Sequence, residues 1–396
     1  MRIFEINTVY RSGSVGRIAF DIQDAVQRDG GECFVAYGRG PVREGNCFRT
    51  TSEAERYFHA LATRVTDRTG FYSKKATKKL IEKIVEFSPD LIHLHNLHGY
   101  YCHVGMLFDF LKDYDRPVVW TFHDCWPFTG HCVNFDLAGC ERWKTGCFSC
   151  PEKKVYPASC LFDASSRNYS DKKRLFSSLR SLTVVSPSQW LADLAASSFF
   201  GGRDIRVINN GIDLSVFSPK DSDWKDRHGL ADKKILLGVA NIWLRSKGFE
   251  DFKKLAEILP EAYQIVTVGK TDKRSNPYPE NMTVLSRTEN IQELAEVYSS
   301  AEFLLNPTYE DNFPTVNLEA MACGLPVITY NTGGAPEMIG EGCGTVVPRG
   351  DLQAILQALE GEYSREKCLR QAQNYDRKIS SEKYLELFRE KLNQQP

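Results

Sequence analysis

The sequence predicts an α/β protein built from two doubly wound parallel-sheet domains that face a cleft. Its 396 residues exceed what one compact core usually holds and suit two domains of about 150 to 200 residues each. Short apolar stretches alternate with helical ones, which is the order expected of parallel sheets. The alternation starts afresh after a turn-rich segment near residue 209. We therefore predict domains at 1–208 and 209–375, and a C-terminal helix within 376–396 that crosses back to the first domain.

The first domain opens with a strand, a loop and a helix. Residues 2–7 are a short buried strand, the loop RSGSVG follows, and a helix starts at Arg17 and stops at Asp29-Gly30-Gly31. The other predicted elements of this half are a helix at 73–87 and strands at 33–37, 91–95, 117–122, 182–185 and 205–208.

The second domain repeats this pattern. Pro314 suits the first turn of a helix, where its missing N–H costs nothing, and Gly324 followed by Pro326 ends that helix. The predicted helices are 249–259, 291–301, 315–322 and 335–339, the strands are 235–240, 263–268, 303–305 and 327–330, and a terminal helix covers 380–393.

Composition and charge exclude several classes of function. With 42% hydrophobic and 26% charged residues, the chain has the average composition of a globular protein. A net charge of -1 argues against nucleic acid as a partner. The N-terminus lacks the pattern of a signal peptide, and no run approaches the ~20 apolar residues of a membrane span. We expect a cytoplasmic protein.

The loops of the second domain contain a predicted anion site. Residues 308–313 leave the carboxyl end of a strand, where doubly wound sheets bind ligands. The helix that carries Glu319 would point its free N–H groups and positive dipole end there, and Gly333-Gly334 opens a second helix in the same way. Lys247 adds a positive charge on a flexible side chain, and Arg245 adds a guanidinium group that can donate two parallel hydrogen bonds. This arrangement predicts a phosphate-binding site.

Five stretches carry a family resemblance. The longest is PTYEDNFPTVNLEAMACGLPVITYNTGGAPEMI, and the others are INNGIDLSVFSP, VVSPSQW, DLIHLHN and TFHD. In these stretches the chain resembles the family-4 retaining glycosyltransferases of GT-B fold, whose second domain carries an E-x7-E signature. The resemblance implies transfer of a hexose from a UDP- or GDP-sugar, with retained configuration and no metal or other cofactor required. It also implies a carbohydrate or lipid-linked acceptor at the inner face of the cell membrane.

The resemblance assigns roles to residues of the second domain. Seven residues separate Asp311 from Glu319, so Asp311 inherits the sugar-facing position and Glu319 the nucleotide ribose, with Glu310 as the alternative to Asp311 if the loop bulges. Two departures from the family pattern are Pro314 in place of a glycine and Ile242 in place of an arginine. Lys247 and Arg245 would stabilise the leaving diphosphate, and further donor contacts are implied for Asn312, Phe313, Thr315, Gly333 and Gly334.

In the first domain, Gly13 and Gly16 allow a ligand to approach the backbone closely. Arg11 stands where a dinucleotide-binding fingerprint needs its first glycine, so a dehydrogenase is not expected. The resemblance places both glycines near the donor, and it makes His123, in TFHD, a sugar-contacting residue or proton relay. A hydrogen-bonded core histidine is the alternative for His123.

Residues 125–160 form a cysteine-rich insert. Cys132, Cys140, Cys147 and Cys150 supply four thiolates, enough for a structural zinc site that would order an otherwise long loop. Buried free thiols are the second interpretation and disulfides the third. The stretch TFHDCWPFTGHC with further cysteines after it resembles the exopolysaccharide and colanic-acid branch of the family.

The segment 56–87 is basic. Its part up to Lys83 has eight Lys and Arg residues against two acids, and a helix here would present Ala76, Leu80, Ile84 and Phe87 as one apolar face. Such a helix suits peripheral contact with an anionic membrane, and a solvated basic face is the alternative.

Two other functions compete with glycosyl transfer. The fold also suits a nucleotide-sugar epimerase. The departures at Asp311 and Ile242 would suit a non-catalytic scaffold that binds a nucleotide sugar in a polysaccharide assembly.

Overall fold

The computed structural model describes residues 1–271 and 277–394, and it confirms the α/β class with two parallel sheets. The chain divides into two compact units. Unit 1 contains Met1–Asn209 and the chain from Ser380 onward, and unit 2 contains Asn210–Ile379. Within the described ranges, no helix combines the length and apolarity needed to cross a bilayer.

Unit 1 is built on a seven-stranded parallel sheet. Its strands are β1 (Arg2–Asn7), β2 (Glu32–Tyr37), β3 (Cys47–Arg49), β4 (Leu91–Leu94), β5 (Val118–Thr121), β6 (Leu182–Ser186) and β7 (Asp204–Val207). They lie in the order β3-β2-β1-β4-β5-β6-β7. The helices are α1 (Gly13–Arg28), α2 (Glu53–Thr66), α3 (Lys74–Phe87), α4 (Val104–Tyr114), α5 (Ser165–Phe176) and α6 (Gln189–Ala196).

The two faces of the unit 1 sheet have different cores because side chains alternate along each strand. Phe4 and Ile6 of β1 lie in a core with α3 and α4, whereas Ile3 packs with α1 and the C-terminal helix. By the same alternation, Glu5 of β1 and His93 of β4 lie on the Ile3 face. This register places polar groups inside the protein.

Unit 2 has a six-stranded parallel sheet. Its strands, in the order β10-β9-β8-β11-β12-β13, are β8 (Lys234–Ile242), β9 (Tyr263–Lys270), β10 (Met282–Leu285), β11 (Phe303–Asn306), β12 (Val327–Tyr330) and β13 (Gly344–Val347). The helices are α7 (Trp224–Arg227), α8 (Phe249–Ala256), α9 (Ile291–Ser300), α10 (Thr315–Ala322), α11 (Leu352–Ala358) and α12 (Arg365–Gln373).

The last helix, α13 (Arg377–Asn393), belongs to unit 1 from Ser380 onward. Its Tyr384 and Phe388 are buried in the core that contains Ile3. Tyr384 Oη also lies 3.0 Å from Thr121 Oγ1 of β5. These contacts attach the end of the chain to the first sheet.

The structure corrects three local predictions. The first helix begins at Gly13 rather than Arg17. Residues 335–338 form a single 3-10 turn instead of an α-helix. The apolar face of α3 is not available to a membrane, because Ala76, Leu80 and Ile84 are fully buried and pack into the core of unit 1.

Candidate functional site

Each sheet reverses its strand order next to its central strand. In unit 2, β9 pairs with one edge of β8, and β11, which comes later in the chain, pairs with the opposite edge. Doubly wound sheets bind ligands at the carboxyl ends of the two strands flanking such a switch point. The loops after β8 and β11 are therefore where a ligand of unit 2 is expected.

Lys247 and Asp311 meet at this switch point. Lys247 lies in the 3-10 turn after β8, and Asp311 lies in the loop after β11. Lys247 Nζ is 2.5 Å from Asp311 Oδ2, 3.3 Å from the Glu310 carbonyl oxygen and 3.5 Å from Thr308 Oγ1. Both side chains of the pair keep partial access to solvent, 31% and 22% respectively, so a charged ligand can reach them.

A glycine fixes the turn that carries Lys247. Gly248 has φ +70°, and a Cβ atom there would lie 2.1 Å from the carbonyl oxygen of Pro307. Only glycine allows this approach. The backbone N–H of Tyr309 then donates to the Ser246 carbonyl at 2.7 Å, so the two loops are held side by side.

Glu319 lies on α10, whose bounds agree with the predicted helix. Its side chain is 6% exposed, and its Oε2 accepts a hydrogen bond from Tyr298 Oη at 3.0 Å. Thr315 Oγ1 donates more weakly to Oε1, at 3.5 Å. The carboxylate is thus oriented by α9 and α10 together.

The remaining predicted donor-binding residues of unit 2 surround the start of α10. Asn312 and Phe313 are buried, and the N–H of Gly334 donates to the Asn312 carbonyl at 2.9 Å. Gly333 has φ +53°, which favours glycine. Because the turn after Gly334 is a single 3-10 turn, it offers little of the dipole expected of a helix.

The sequence did not reveal a tyrosine and aspartate group behind these loops. Tyr309 Oη and Tyr330 Oη donate to Asp251 Oδ2 at 2.7 and 2.9 Å. Burial and, to a smaller extent, the nearby Asp251 raise the pKa of Tyr309 to about 12, although the charge of Arg245 acts in the opposite direction. Arg245 itself is exposed to solvent. No sequence motif signals this group, because its members are far apart in the chain.

In unit 1, the loop after β1 brings Gly13 and Gly16 into the first turn of α1. Gly13 is exposed, with φ +62°. Gly16 is buried, and a Cβ atom there would come within 3.2 to 3.4 Å of Val9, Tyr10 and Arg11. Close packing of α1 on this loop therefore accounts for the glycine at position 16.

His123, at the end of β5, is connected to a buried polar chain. His95 Nδ1 lies 3.0 Å from His123 Nε2, and His95 Nε2 lies 3.0 Å from Glu5 Oε2. Cys33 Sγ donates to the other carboxyl oxygen of Glu5 at 3.3 Å. Glu5 and His95 are fully buried, whereas His123 is partly exposed.

Burial keeps all members of this chain uncharged. It raises the pKa of Glu5 to about 8, lowers the pKa of His123 to about 4 and lowers that of His95 well below 6.5. A protonated Glu5 donates to His95 Nε2, so His95 donates through its Nδ1–H to His123 Nε2. The proton of neutral His123 is consequently placed on its Nδ1.

His93 is a neighbour of this chain with different contacts. Its Nε2 lies 2.8 Å from Thr121 Oγ1, and its Nδ1 is 3.7 Å from Glu5 Oε2. Burial lowers its pKa to about 3. Its ring centroid lies 5.3 Å from those of Tyr384 and Phe388 of α13, in tilted and edge-on contacts that join the last helix to the sheet.

The cysteine-rich insert does not have the geometry of the predicted zinc site. In the parts of the chain that the structure describes, three side chains of metal-ligand type come together only at Glu5, His93 and His95. Both histidines of this group contact Glu5 Oε2, as described above. No such group forms from Cys132, Cys140, Cys147 and Cys150. Cys132 forms a hydrogen bond with Cys150, and burial raises the pKa of Cys147 to about 11.

Aromatic packing orders the insert instead. Phe128 and Phe135 each contact Trp143, with ring centroids 5.3 and 5.2 Å apart, and all three join the core of unit 1. Lys172 Nζ donates to the carbonyl oxygens of Trp126 and Thr129 at 2.8 and 3.0 Å. These contacts hold the insert against the core of unit 1.

Two family models match the chain. The model described as Glycosyltransferase Family 4 matches residues 15–216, and the model described as Glycosyl transferases group 1 matches residues 233–363. A protein of Escherichia coli (strain K12), named as a colanic acid biosynthesis glycosyl transferase, WcaC, is 27% identical over 92% of each chain. The sulfoquinovosyl transferase SQD2 of Arabidopsis thaliana is 29% identical over 40% of this chain and 32% of that protein.

Solved structures share the fold. The sucrose-phosphate synthase of Thermosynechococcus elongatus superposes with a TM-score of 0.71 and 17% identity, covering 98% of each chain. The Anabaena protein Alr3699/HepE in complex with UDP-glucose superposes with a TM-score of 0.67 and 16% identity, covering 98% of this chain and all of the other. These likenesses show the fold, which is GT-B.

Proposed function

The chain belongs to glycosyltransferase family 4, and on that premise we propose that it moves a hexose from a nucleotide-diphosphate sugar to a hydroxyl group with retained anomeric configuration. It is a glycosyltransferase of polysaccharide biosynthesis. The proposed donor is a UDP- or GDP-hexose, and UDP-glucose in the HepE structure supports a donor of this kind. The proposed acceptor is a lipid-linked precursor of a bacterial surface polysaccharide, such as an exopolysaccharide, capsule or lipopolysaccharide.

The observation that carries this proposal is the meeting of Lys247 and Asp311 at the switch point of unit 2. Cleavage of the sugar–phosphate bond leaves negative charge on the departing diphosphate. Lys247 and the N–H groups at the start of α10 stabilise that charge without a divalent metal, and Arg245 adds a second cation. Asp311 holds the Lys247 ammonium in place until the diphosphate arrives, and it then faces the sugar.

Other side chains bind the remaining parts of the donor. Glu319, oriented by Tyr298, accepts hydrogen bonds from the ribose hydroxyls. Glu310 is the alternative to Asp311 as the sugar-facing carboxylate. The backbone around α10 and the following turn encloses the diphosphate, through Asn312, Phe313, Thr315, Gly333 and Gly334.

Unit 1 contributes His123 as a sugar-contacting residue or proton relay, and Gly13 and Gly16 as a close backbone approach to the donor. The buried chain from Glu5 through His95 supports His123, because it fixes which ring nitrogen carries the proton. A defined tautomer keeps each ring nitrogen in the protonation state that proton transfer or hydrogen bonding to a sugar requires.

A panel of UDP-, GDP- and ADP-sugars tests the proposal. The purified protein with a polyprenyl-diphosphate-linked sugar acceptor should release free nucleotide from one of them, also in the presence of EDTA. NMR of the product should show the same anomeric configuration as the donor. Nucleotide binding without release would indicate a scaffold, and conversion of the donor sugar without an acceptor would indicate an epimerase.

A further inference from the structure

Helix α2 in unit 1 turns apolar side chains toward solvent and polar side chains toward the core. Its outward face carries Tyr57, Phe58 and Leu61, which are 64%, 65% and 62% exposed. Its inward face carries His59 and Thr63, which are buried. A surface helix normally turns its apolar stripe toward the core, so this face is built to contact something outside the chain.

The inward polar residues explain why the helix keeps this orientation. His59 Nδ1 lies 2.7 Å from Ser73 Oγ, and the N–H of Gly70 donates to His59 Nε2 at 3.2 Å. A capping box between Ser52 and Glu55 fixes the start of the helix. Rotation of the helix to bury its apolar stripe would break these bonds.

The end of the cysteine-rich insert enlarges the apolar surface. The N–H groups of Cys160 and Phe162 donate to the carbonyl oxygens of Arg64 and Val65, at 2.6 and 3.2 Å. Leu161 and Phe162 are 66% and 62% exposed beside the last turn of α2. We call Tyr57, Phe58, Leu61, Val65, Leu161 and Phe162 the α2 patch.

Basic side chains border the α2 patch. The rings of Phe58 and Tyr72 lie 6.4 Å apart, so the start of α3 is adjacent to the middle of α2. The exposed residues of this part of α3 are four lysines, Lys74, Lys75, Lys78 and Lys79. Arg64, in the last turn of α2, is also exposed. The acids of α2 are at its far end, where Glu53 pairs with Arg56 at 2.7 Å.

We propose that the α2 patch and the lysines of α3 dock unit 1 onto an anionic lipid bilayer. An amphipathic helix lying in the bilayer interface places its aromatic and aliphatic side chains below the lipid head groups, and lysines beside it attract anionic lipids. Membrane docking would bring the enzyme to a lipid-linked acceptor, and only this role of the docking depends on the proposed function.

Charge favours a bilayer over a second copy of this chain. A second copy of this chain presents the same basic border and no opposite charge, so it is not complementary to the lysines of α3. An anionic lipid surface is complementary to both the apolar and the basic part of the patch.

Vesicle sedimentation tests the docking surface. The full-length protein is mixed at low salt with phosphatidylglycerol/phosphatidylcholine vesicles or with phosphatidylcholine vesicles alone. We expect sedimentation with the anionic vesicles and much less with the neutral ones. Phe58→Asp combined with Leu61→Asp should weaken the binding at least tenfold, and Lys74→Glu combined with Lys78→Glu should weaken it and reduce its salt dependence.

Ile258→Asp is the matched control, because Ile258 is an exposed aliphatic residue of unit 2 outside the patch. It should bind vesicles like the unchanged protein. All variants should keep the melting temperature and the thermal shift caused by nucleotide, so a failure of docking is separate from a failure of donor binding. The proposal is overturned if the unchanged protein ignores anionic vesicles, if the Phe58/Leu61 variant binds them normally, or if gel filtration shows a dimer that this variant dissociates.

Discussion

Lys247 Nζ lies 2.5 Å from Asp311 Oδ2, and the two residues follow the central strands β8 and β11 of unit 2. The pair joins the two loops at the switch point of the sheet before any ligand is bound. An arriving diphosphate offers oxygens that compete with Asp311 for the same ammonium group. In the proposed function, Lys247 is therefore a preorganised cation that Asp311 keeps in position.

Lys247→Ala should lower kcat by about 10² to 10³, the usual loss when one preorganised charge-stabilising group is removed. Stability should change little, because both side chains of the pair are partly exposed. Steady-state kinetics with the identified donor and a thermal melt measure the two effects. Activity equal to that of the unchanged protein would remove Lys247 from the mechanism.

Asp311→Asn and Glu310→Gln separate the two candidate carboxylates. We expect Asp311→Asn to lower kcat without weakening the binding of the nucleoside diphosphate, because Lys247 keeps its charge and loses a competing partner. Glu310→Gln should retain most of the activity, since Glu310 contacts Lys247 through its backbone carbonyl, which the substitution keeps. The opposite ranking of the two variants would assign the sugar-facing role to Glu310.

Glu319→Ala should weaken nucleoside diphosphate binding at least tenfold and leave inorganic pyrophosphate binding unchanged, because the proposed partner of the carboxylate is the ribose. Tyr298→Phe removes the hydrogen bond that orients Glu319 and should have a smaller effect in the same direction. Isothermal calorimetry with both ligands measures the difference. An equal loss of pyrophosphate affinity in Glu319→Ala would contradict the ribose assignment.

In His95→Phe, the position of the ring proton of His123 should no longer be fixed. The Nδ1–H of His95 can no longer donate to His123 Nε2, so nitrogen NMR should show the proton of His123 redistributed between its two nitrogens. We expect kcat to fall about tenfold to a hundredfold, in the range for groups that orient a functional histidine, with the donor KM unchanged.

His93→Phe is the control for this experiment. His93 lies two residues before His95 and is equally buried, but its Nε2 contacts Thr121 rather than His123. It should leave the tautomer of His123 as it is in the unchanged protein. If both variants alter His123 alike, the effect comes from general disturbance of the core.

Glu5 should make the protein less stable as the pH rises. Its folded-state pKa is raised from 4.5 to about 8 by burial, so the folded chain binds this proton more tightly than the unfolded chain. Between pH 4.5 and 8 the free energy of unfolding therefore falls, by up to about 1.4 kcal/mol per pH unit from this group. Urea unfolding at pH 6.5 and 8 should show this loss in the unchanged protein and less of it in Glu5→Gln. Parallel pH profiles for the two proteins would refute this assignment.

Much of this molecule could be predicted from its sequence. Most strands of the two sheets, the switch-point loops and the bounds of α10 follow from short apolar stretches and from Pro314 and Gly324, which act locally. The edge strands β3, β10 and β13 were not predicted. Helix α2 was missed because its apolar stripe faces solvent and its polar residues face inward. The chain of Glu5, His95 and His123 was missed because it depends on the register of three separate strands. The zinc prediction counted thiols along the chain, whereas packing around Trp143 decides where they lie.

Calorimetric titration of nucleoside diphosphates into the unchanged protein and into Lys247→Ala tests most directly that unit 2 binds the diphosphate of a sugar donor through Lys247. We expect one of UDP, GDP and ADP to bind the unchanged protein, and the Lys247→Ala variant to bind it at least tenfold more weakly. Binding of none of the three, or equal affinity in both proteins, would contradict the account.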